Sequence, residues 1–280
     1  MNSFSSIRFI RFDDSLDYSC TKKAACGSIE LLYGGANRTQ KMGNRQGAEE
    51  DAKRYREGYP DLAGVEEDTS HDRNLRFYRN ECKCVPDGDF VDVIHERWFG
   101  RHELLERHHG YIQWLFPLRE AGMNFEAQTL MRFEADAIRA DDACRARVLR
   151  SYELMLDFYG MRLADKATGG IGRRAAGHAA QYENLNTSGH NFLRVTRILK
   201  SLGELGFAHY QQAWCEFFVG EVFGLGDEQS SDGHDESPPL PNCRDSLVRY
   251  WIPCVKDDSA REALLSKVQR IVQQEQEQQQ

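Results

Sequence analysis

The sequence predicts an all-α fold, a single multi-helix globular domain with at most a short β arm. Three observations carry that prediction. Apolar residues recur every three to four positions through most of residues 45–272, the spacing of one helix face. The chain of 280 residues is long enough for one large core, and its periodic blocks lie too close together for an obvious internal linker. The stretch Tyr111–Phe125, YIQWLFPLREAGMNF, sets four aromatic rings around Pro117 and Gly122. Pro117 removes a backbone donor and biases Phe116 away from helical angles, so a helix entering through His108, Ile112 and Leu115 stops on a corner. Four rings on such a corner must be packed on several sides.

Residues 1–44 lack sustained periodicity and carry turn-like segments around Gly34 and Gly43, so a poorly ordered extension is expected. Ala48–Tyr55 is the first expected helix, anchored by Tyr55 and Tyr59 and ended at Pro60. Glu66–Asp72 reads as a solvated acidic connection without the spaced ligands of a calcium loop. In Asn74–Arg79 an extended backbone would put Leu75, Phe77 and Arg79 on one side, so a short strand or arm is expected. Cys82 and Cys84 have one residue between them, which suits neither a zinc knuckle nor a redox pair, and they read as structural thiols. Pro86-Asp87-Gly88 is a turn, Asp89 caps the next helix, and Phe90, Ile94 and Trp98 line one face of it. Leu105, His108, Ile112 and Leu115 then continue as a second helix into the corner. His108 and His109 point to different sides of a helix and cannot chelate as an i, i+4 pair; His108 reads as a core or hydrogen-bonding histidine.

Beyond the corner, Thr129–Ile138 is a short amphipathic segment. Asp141 or Asp142 starts a stronger helix through Val148, Tyr152, Met155 and Tyr159, closed by Gly160. Thr168–Gly177, TGGIGRRAAG, lacks the GK[ST] of a P-loop and follows no clear strand, so it reads as a mobile basic loop. Ser188 caps a helix running to Gly206, with Phe192, Val195, Leu199 and Leu202 as its buried face, widened by Ile198 and Leu205. Arg194, Arg197 and Lys200 recur every three residues on another side, a row that suits an acidic partner or, more simply, solvent and internal pairs. Gly203 and Gly206 imply close helix packing and then a stop. Tyr210, Ala213, Trp214, Phe217 and Phe218 mark another packed helix within Phe207–Phe223. Residues 224–242 are acidic and Ser/Pro-rich, expected to be a disordered loop with a weak phosphorylation motif at Ser237-Pro238. Leu247, Tyr250 and Trp251 suggest a short helix before Pro253. Ser259 with Glu262 makes a capping box for Leu264, Leu265, Val268 and Ile271, and residues 273–280 are a frayed Gln-rich tail.

The net charge of -8 argues against a general nucleic-acid binder. No apolar run approaches the roughly 18–20 residues that span a bilayer, which leaves peripheral association as the only membrane role. The opening MNSFSSIRFIRF is too interrupted for a secretory signal, so the eight cysteines are expected to be reduced thiols in an intracellular protein. Asp, Glu, His and Cys show no spacing that marks a catalytic centre, a metal site or a cofactor pocket, and the chain reads as a non-enzyme without cofactors.

Four blocks stand in one order: NLRFYRNE at 74–81, HERWFG at 95–100, the corner stretch, and GHNFLRVTRILKSLGELGF at 189–207. Through them the region Gly47–Phe223, with a weaker continuation over Leu247–Val272, resembles the conserved region of the opioid growth factor receptor family. The resemblance implies recognition of the peptide met-enkephalin and negative control of cell growth from a cytoplasmic, perinuclear or nuclear position. A short peptide with a free amine and two aromatic side chains needs a carboxylate beside an aromatic-walled pocket. The residues of the matching blocks that offer these are Phe77, Tyr78, Glu81, Trp98, Trp114, Arg119 and Glu120, the expected ligand-binding set. Arg194, Arg197 and Lys200 are the expected partner-binding row. The competing expectation is an intracellular helical scaffold that binds another protein and no opioid ligand.

Overall fold

The computed structural model describes the backbone of residues 38–225 and 240–278, with side chains from Gly47 onward. Most of the expected N-terminal extension, and most of the acidic loop with its Ser237-Pro238 motif, lie outside the described residues.

Helices build the described chain, as its periodicity predicts. They are α1 (Arg38–Arg56), α2 (Arg73–Tyr78), α3 (Val91–Arg97), α4 (His102–Arg107), α5 (Ile112–Leu115), α6 (Arg132–Ala140) and α7 (Asp142–Phe158). A hairpin of β1 (Met161–Asp165) and β2 (Gly170–Arg173) follows. Then come α8 (Ala179–Thr187), α9 (Gly189–Glu204), α10 (Ala208–Phe223), α11 (Arg244–Ser246) and α12 (Asp258–Glu277). Between α11 and α12 the chain passes through a π-helical turn, Leu247–Trp251, and a 3-10 turn, Ile252–Cys254. The strands are antiparallel, with Met161 opposite Arg173 and Leu163 opposite Ile171.

The core centres on α9 and α10. The first buries Val195, Ile198, Leu199 and Leu202, and the second buries Tyr210, Trp214, Phe218 and Val222. Trp214 stacks on Phe218 at 4.7 Å between ring centroids, and Trp251 meets the same Phe218 edge-on at 5.0 Å. Trp114, Trp214 and Trp251 are all fully buried. Burying one indole removes roughly 200 Å² from water, worth about 5 kcal/mol of gross transfer free energy. One such ring rivals the net stability of an ordinary domain.

Several elements depart from expectation for identifiable reasons. Asn74–Arg79 is the helix α2 and not an extended arm: Asn74, Leu75, Phe77 and Tyr78 are buried together, a helical i, i+1, i+3, i+4 face. Its start is held from a distance. The buried Glu134 carboxylate accepts from Asn74 N at 2.9 Å and Leu75 N at 3.2 Å, and also from Met131 N at 2.9 Å ahead of α6. Burial lifts this carboxyl above the usual range against those hydrogen bonds. Asp89 accepts from the adjacent Phe90 N and pairs with Lys83 at 3.0 Å, while the side chain of Asn80, not that of Asp89, takes Asp92 N in the first turn of α3. Thr168–Gly177 is no mobile loop: it forms β2, and its arginines are engaged, Arg173 with Glu221 at 3.0 Å and Arg174 with Asp157 at 2.8 Å. Asp257, not Ser259, caps α12 by accepting from Ala260 N at 2.8 Å, and the helix runs to Glu277 through part of the Gln-rich tail. The first helix likewise begins at Arg38, ahead of Ala48.

The helix expected through Leu105, His108, Ile112 and Leu115 is two helices. It breaks at His108 because outside groups take the carbonyls that end α4. Arg194 donates to Leu105 O at 3.1 Å, Glu106 O at 3.3 Å and His108 O at 3.4 Å, and Tyr111 OH donates to Leu105 O at 3.1 Å. A buried guanidinium with several N–H donors satisfies the orphan C-terminal carbonyls that a continuing helix would have bonded itself.

Candidate functional site

The corner and α9 are joined along their length by the basic row. After Arg194 at the end of α4, Arg197 donates to Phe116 O at 2.8 Å, Ser201 to Pro117 O at 3.0 Å, and Lys200 to Glu120 at 2.8 Å. Lys200 also meets Asp51 of α1 at 2.7 Å, and Tyr59 OH donates to Glu120 at 2.8 Å. Burial lowers the Arg197 guanidinium to about 10. Burial pushes Lys200 the same way, but Asp51 and Glu120 outweigh it and hold the ammonium above its ordinary range. Arg119 completes this junction, donating to Gly58 O at 3.1 Å beside Glu67. Four expected site residues, Arg119, Glu120, Arg197 and Lys200, therefore meet at one internal polar junction.

The other expected residues lie apart. Phe77, Tyr78 and Trp114 are fully buried and pack on one another, Phe77 edge-on to Trp114 at 5.5 Å, with Tyr78 OH bonded to Leu115 O and Trp114 Nε1 donating to Val85 O at 2.9 Å. Half-buried Trp98 packs on His108 at 5.1 Å and Tyr111 at 5.7 Å. Glu81 is exposed near Arg76. Of the corner's four rings, Tyr111, Trp114 and Phe116 are buried, whereas Phe125 is 97% exposed. The expectation that all four pack into a core is corrected at Phe125.

None of the ten expected residues lines either of two open clefts on the surface. The larger, about 790 Å³, lies between the hairpin and α10. Its helical wall is His209, Gln212, Ala213, Glu216 and Phe217, an i, i+3, i+4, i+7, i+8 stripe beside the buried stripe of Tyr210, Trp214 and Phe218. Its other wall is Ala167, Thr168, Gly170 and Ile171. The hairpin turn is fixed in place. Asp165 accepts from Ala167 N and Thr168 Oγ1, both at 2.8 Å, and these hydrogen bonds, with Thr168 first, hold its carboxyl below the usual range. Tyr210 OH donates to Lys166 O at 2.5 Å, and Gly169, at φ +80°, lies against the Tyr210 ring where a Cβ would collide. Glu216 accepts from Gln212 at 2.8 Å, and no Lys or Arg lines the groove. Fixed walls, one carboxylate and the apolar Ile171 and Phe217 can receive a small cationic, ring-bearing ligand. The sequence signal for this wall was the second stripe on α10, displaced by one position from the core stripe.

The smaller cleft, about 350 Å³, lies over α4 and α8 among His102, Glu103, Glu106, Arg107, Phe158, Gln181 and Asn184. Its floor is a closed ring of hydrogen bonds. His102 Nε2 lies 2.8 Å from Asp157, Asp157 is 2.8 Å from Arg174, Arg174 donates to Gln181 at 3.2 Å, and Gln181 returns to His102 Nδ1 at 3.0 Å. Beside it, burial pushes the Glu106 carboxyl up, but hydrogen bonds from Asn184 and Asn191 and the charges of His190 and Arg194 bring it below the usual range. These groups satisfy one another, so the cleft is braced rather than reactive.

No three His, Cys, Asp or Glu side chains among the described residues stand where they would hold a metal. The described cysteines are free thiols, and burial raises Cys84 to about 11 and Cys254 to about 12, far from a reactive thiolate. No described helix is long and apolar enough to cross a membrane.

Residues 67–280 match the family model described as the opioid growth factor receptor (OGFr) conserved region. The human opioid growth factor receptor is 42% identical over 219 residues, 78% of this chain and 30% of that protein. The mouse opioid growth factor receptor-like protein 1 is 36% identical over 225 residues, 80% of this chain and 45% of that protein. This chain spans less than half the length of either relative. No solved structure matches it. With the family model covering most of its length, the chain belongs to the opioid growth factor receptor family.

Proposed function

We propose that this chain is a ligand-binding domain of receptor type that takes a short opioid peptide, met-enkephalin by the family's name, in the groove between the hairpin and α10. The observation that carries the reading is the groove itself. At about 790 Å³ it falls in the range of small-ligand sites, and it sets the Glu216 carboxylate beside Phe217 and Ile171. Glu216 is exposed, so an ion pair with a peptide amine contributes at most about 1 kcal/mol. Burial of the peptide's rings against Phe217 and Ile171 then supplies most of the affinity. In this reading the domain acts by binding and not by catalysis, from within the cell, with membrane contact at most peripheral, and restrains growth through what it binds. The relative named opioid growth factor receptor supports it.

Calorimetric titration of the whole protein with met-enkephalin tests it. Saturable binding is expected, absent with a scrambled peptide, weakened about tenfold by Phe217→Ala and only a few-fold by Glu216→Gln. A folded protein that releases no binding heat sinks the peptide reading. A second reading, a helical scaffold that binds another protein, is favoured by one observation: Met123 and Phe125 are 81% and 97% exposed.

A further inference from the structure

The hairpin groove suits a cationic, ring-bearing ligand, and the chain carries one of its own. Residues 7–12 read Ile-Arg-Phe twice in succession, and residues 1–12 hold Phe4, Arg8, Phe9, Arg11 and Phe12 with no acid. The other stretches outside the described residues lack this chemistry. Residues 13–37 keep Lys22 and Lys23 away from their rings at Tyr18 and Tyr33, and residues 226–239 carry five carboxylates with no Lys or Arg.

The charge around the groove favours an arginine. Glu216 on the helical wall accepts from Gln212 and forms no ion pair among the described residues. The nearby cations are matched already, Lys166 by Glu153 at 2.8 Å and Arg173 by Glu221 at 3.0 Å. Arg162 stands opposite Gly172, one position along the hairpin from the pair of Leu163 and Ile171, so it belongs to the face turned away from the groove that Ile171 lines. His209 packs its ring on Tyr210 at 4.5 Å. Glu216 and Phe217 are adjacent, as are Arg8 and Phe9, and Arg11 and Phe12. A carboxylate beside a ring thus meets a guanidinium beside a ring, in either register of the repeat.

Resting on the reading of the groove given above, we propose that residues 7–12 dock there in their own chain. One arginine of the repeat pairs with Glu216, and the phenylalanine after it lies against Phe217 and Ile171. The segment is then an internal competitor that a peptide ligand must displace. The connection is long enough. α1 reaches the helical wall of the groove at Tyr55, whose OH accepts from Gln211, the neighbour of Gln212, at 2.8 Å. All 19 residues of α1 rise about 28 Å. Residues 13–37, which join the repeat to α1, extend to at most roughly 80 Å. A tether also holds the segment at an effective concentration of about millimolar, so contacts too weak for a free peptide suffice.

Photo-crosslinking of the full chain tests the docking. Phe9→p-benzoylphenylalanine is made in isotopically light and heavy protein, and an equal mixture is irradiated and mapped by mass spectrometry. Adducts within single chains are expected at 165–171 or 208–217, and Glu216→Lys, an exposed change, should remove them. Adducts elsewhere, or none, overturn the proposal. Mixed light and heavy adducts at the groove overturn it in favour of a second copy. Calorimetry then tests the competition: the full chain carrying Arg8→Ala, Phe9→Ala, Arg11→Ala and Phe12→Ala should bind met-enkephalin about threefold or more tightly than the wild type, and equal affinity overturns the internal competitor. The two readings fail separately. Groove adducts with no met-enkephalin binding to either protein leave the docked segment and sink the peptide reading, whereas met-enkephalin binding without groove adducts does the reverse.

Discussion

His95 is 4% exposed, with Nε2 2.8 Å from Ser151 Oγ. Burial, with Arg150 nearby and Asp92 opposing, lowers its imidazole from 6.5 to about 4. The unfolded chain takes up this proton first, so stability is level above pH 6.5, falls as the pH drops below it, and levels again near pH 4. The expected loss from this residue between pH 7 and pH 5 is about 2 kcal/mol. Urea unfolding at the two pH values measures it, and His95→Gln should remove that share of the pH dependence; a variant that keeps all of it contradicts the assignment. The same scale explains what could be read in advance. A three-residue spacing of Arg194, Arg197 and Lys200 shows a polar face on α9, and internal pairing was one of its two plain readings. That the partners of Arg194 and Arg197 are the carbonyls of Leu105, Phe116 and their neighbours was not legible, because a backbone oxygen carries no sequence signal. Phe125 misled for the converse reason: aromatic composition indicates burial on average but not which ring the backbone turns outward.

Gly203 fixes how α9 meets its neighbours. A Cβ there would collide with Tyr55 OH of α1 and the Gln211 amide of α10, which are hydrogen-bonded to each other at 2.8 Å. Gly203→Ala must separate three elements at once and should cost about 1–3 kcal/mol. Gly220 of α10 has nothing within 4 Å of its Cβ position, so Gly220→Ala is the control and should be neutral or stabilising. Equal midpoints for the two variants in urea would contradict this packing. Long periodic elements, α7, α9 and α10, were legible because their apolar stripes exceed two turns. Short ones were not. The six residues of α2 fit either period, and the Glu134 carboxylate that holds its start comes from 60 positions away. β2 has two glycines in four residues and no alternation, so only its pairing with β1 makes it a strand.

Over the whole molecule, the basic face of α9 pins the corner, three of the corner's four rings fill the core, and the hairpin groove lies apart from both. The four matching blocks identified the family because they supply this internal frame. For the same reason they did not mark the groove, whose walls lie mostly outside them. The groove is the proposed binding surface, and the corner is structural. Hydrogen–deuterium exchange of the whole protein, with and without saturating met-enkephalin, tests it most directly. Added protection is expected only in the hairpin turn at 165–171 and over 208–217 of α10. Protection centred on 111–120, with the groove unchanged, would contradict it.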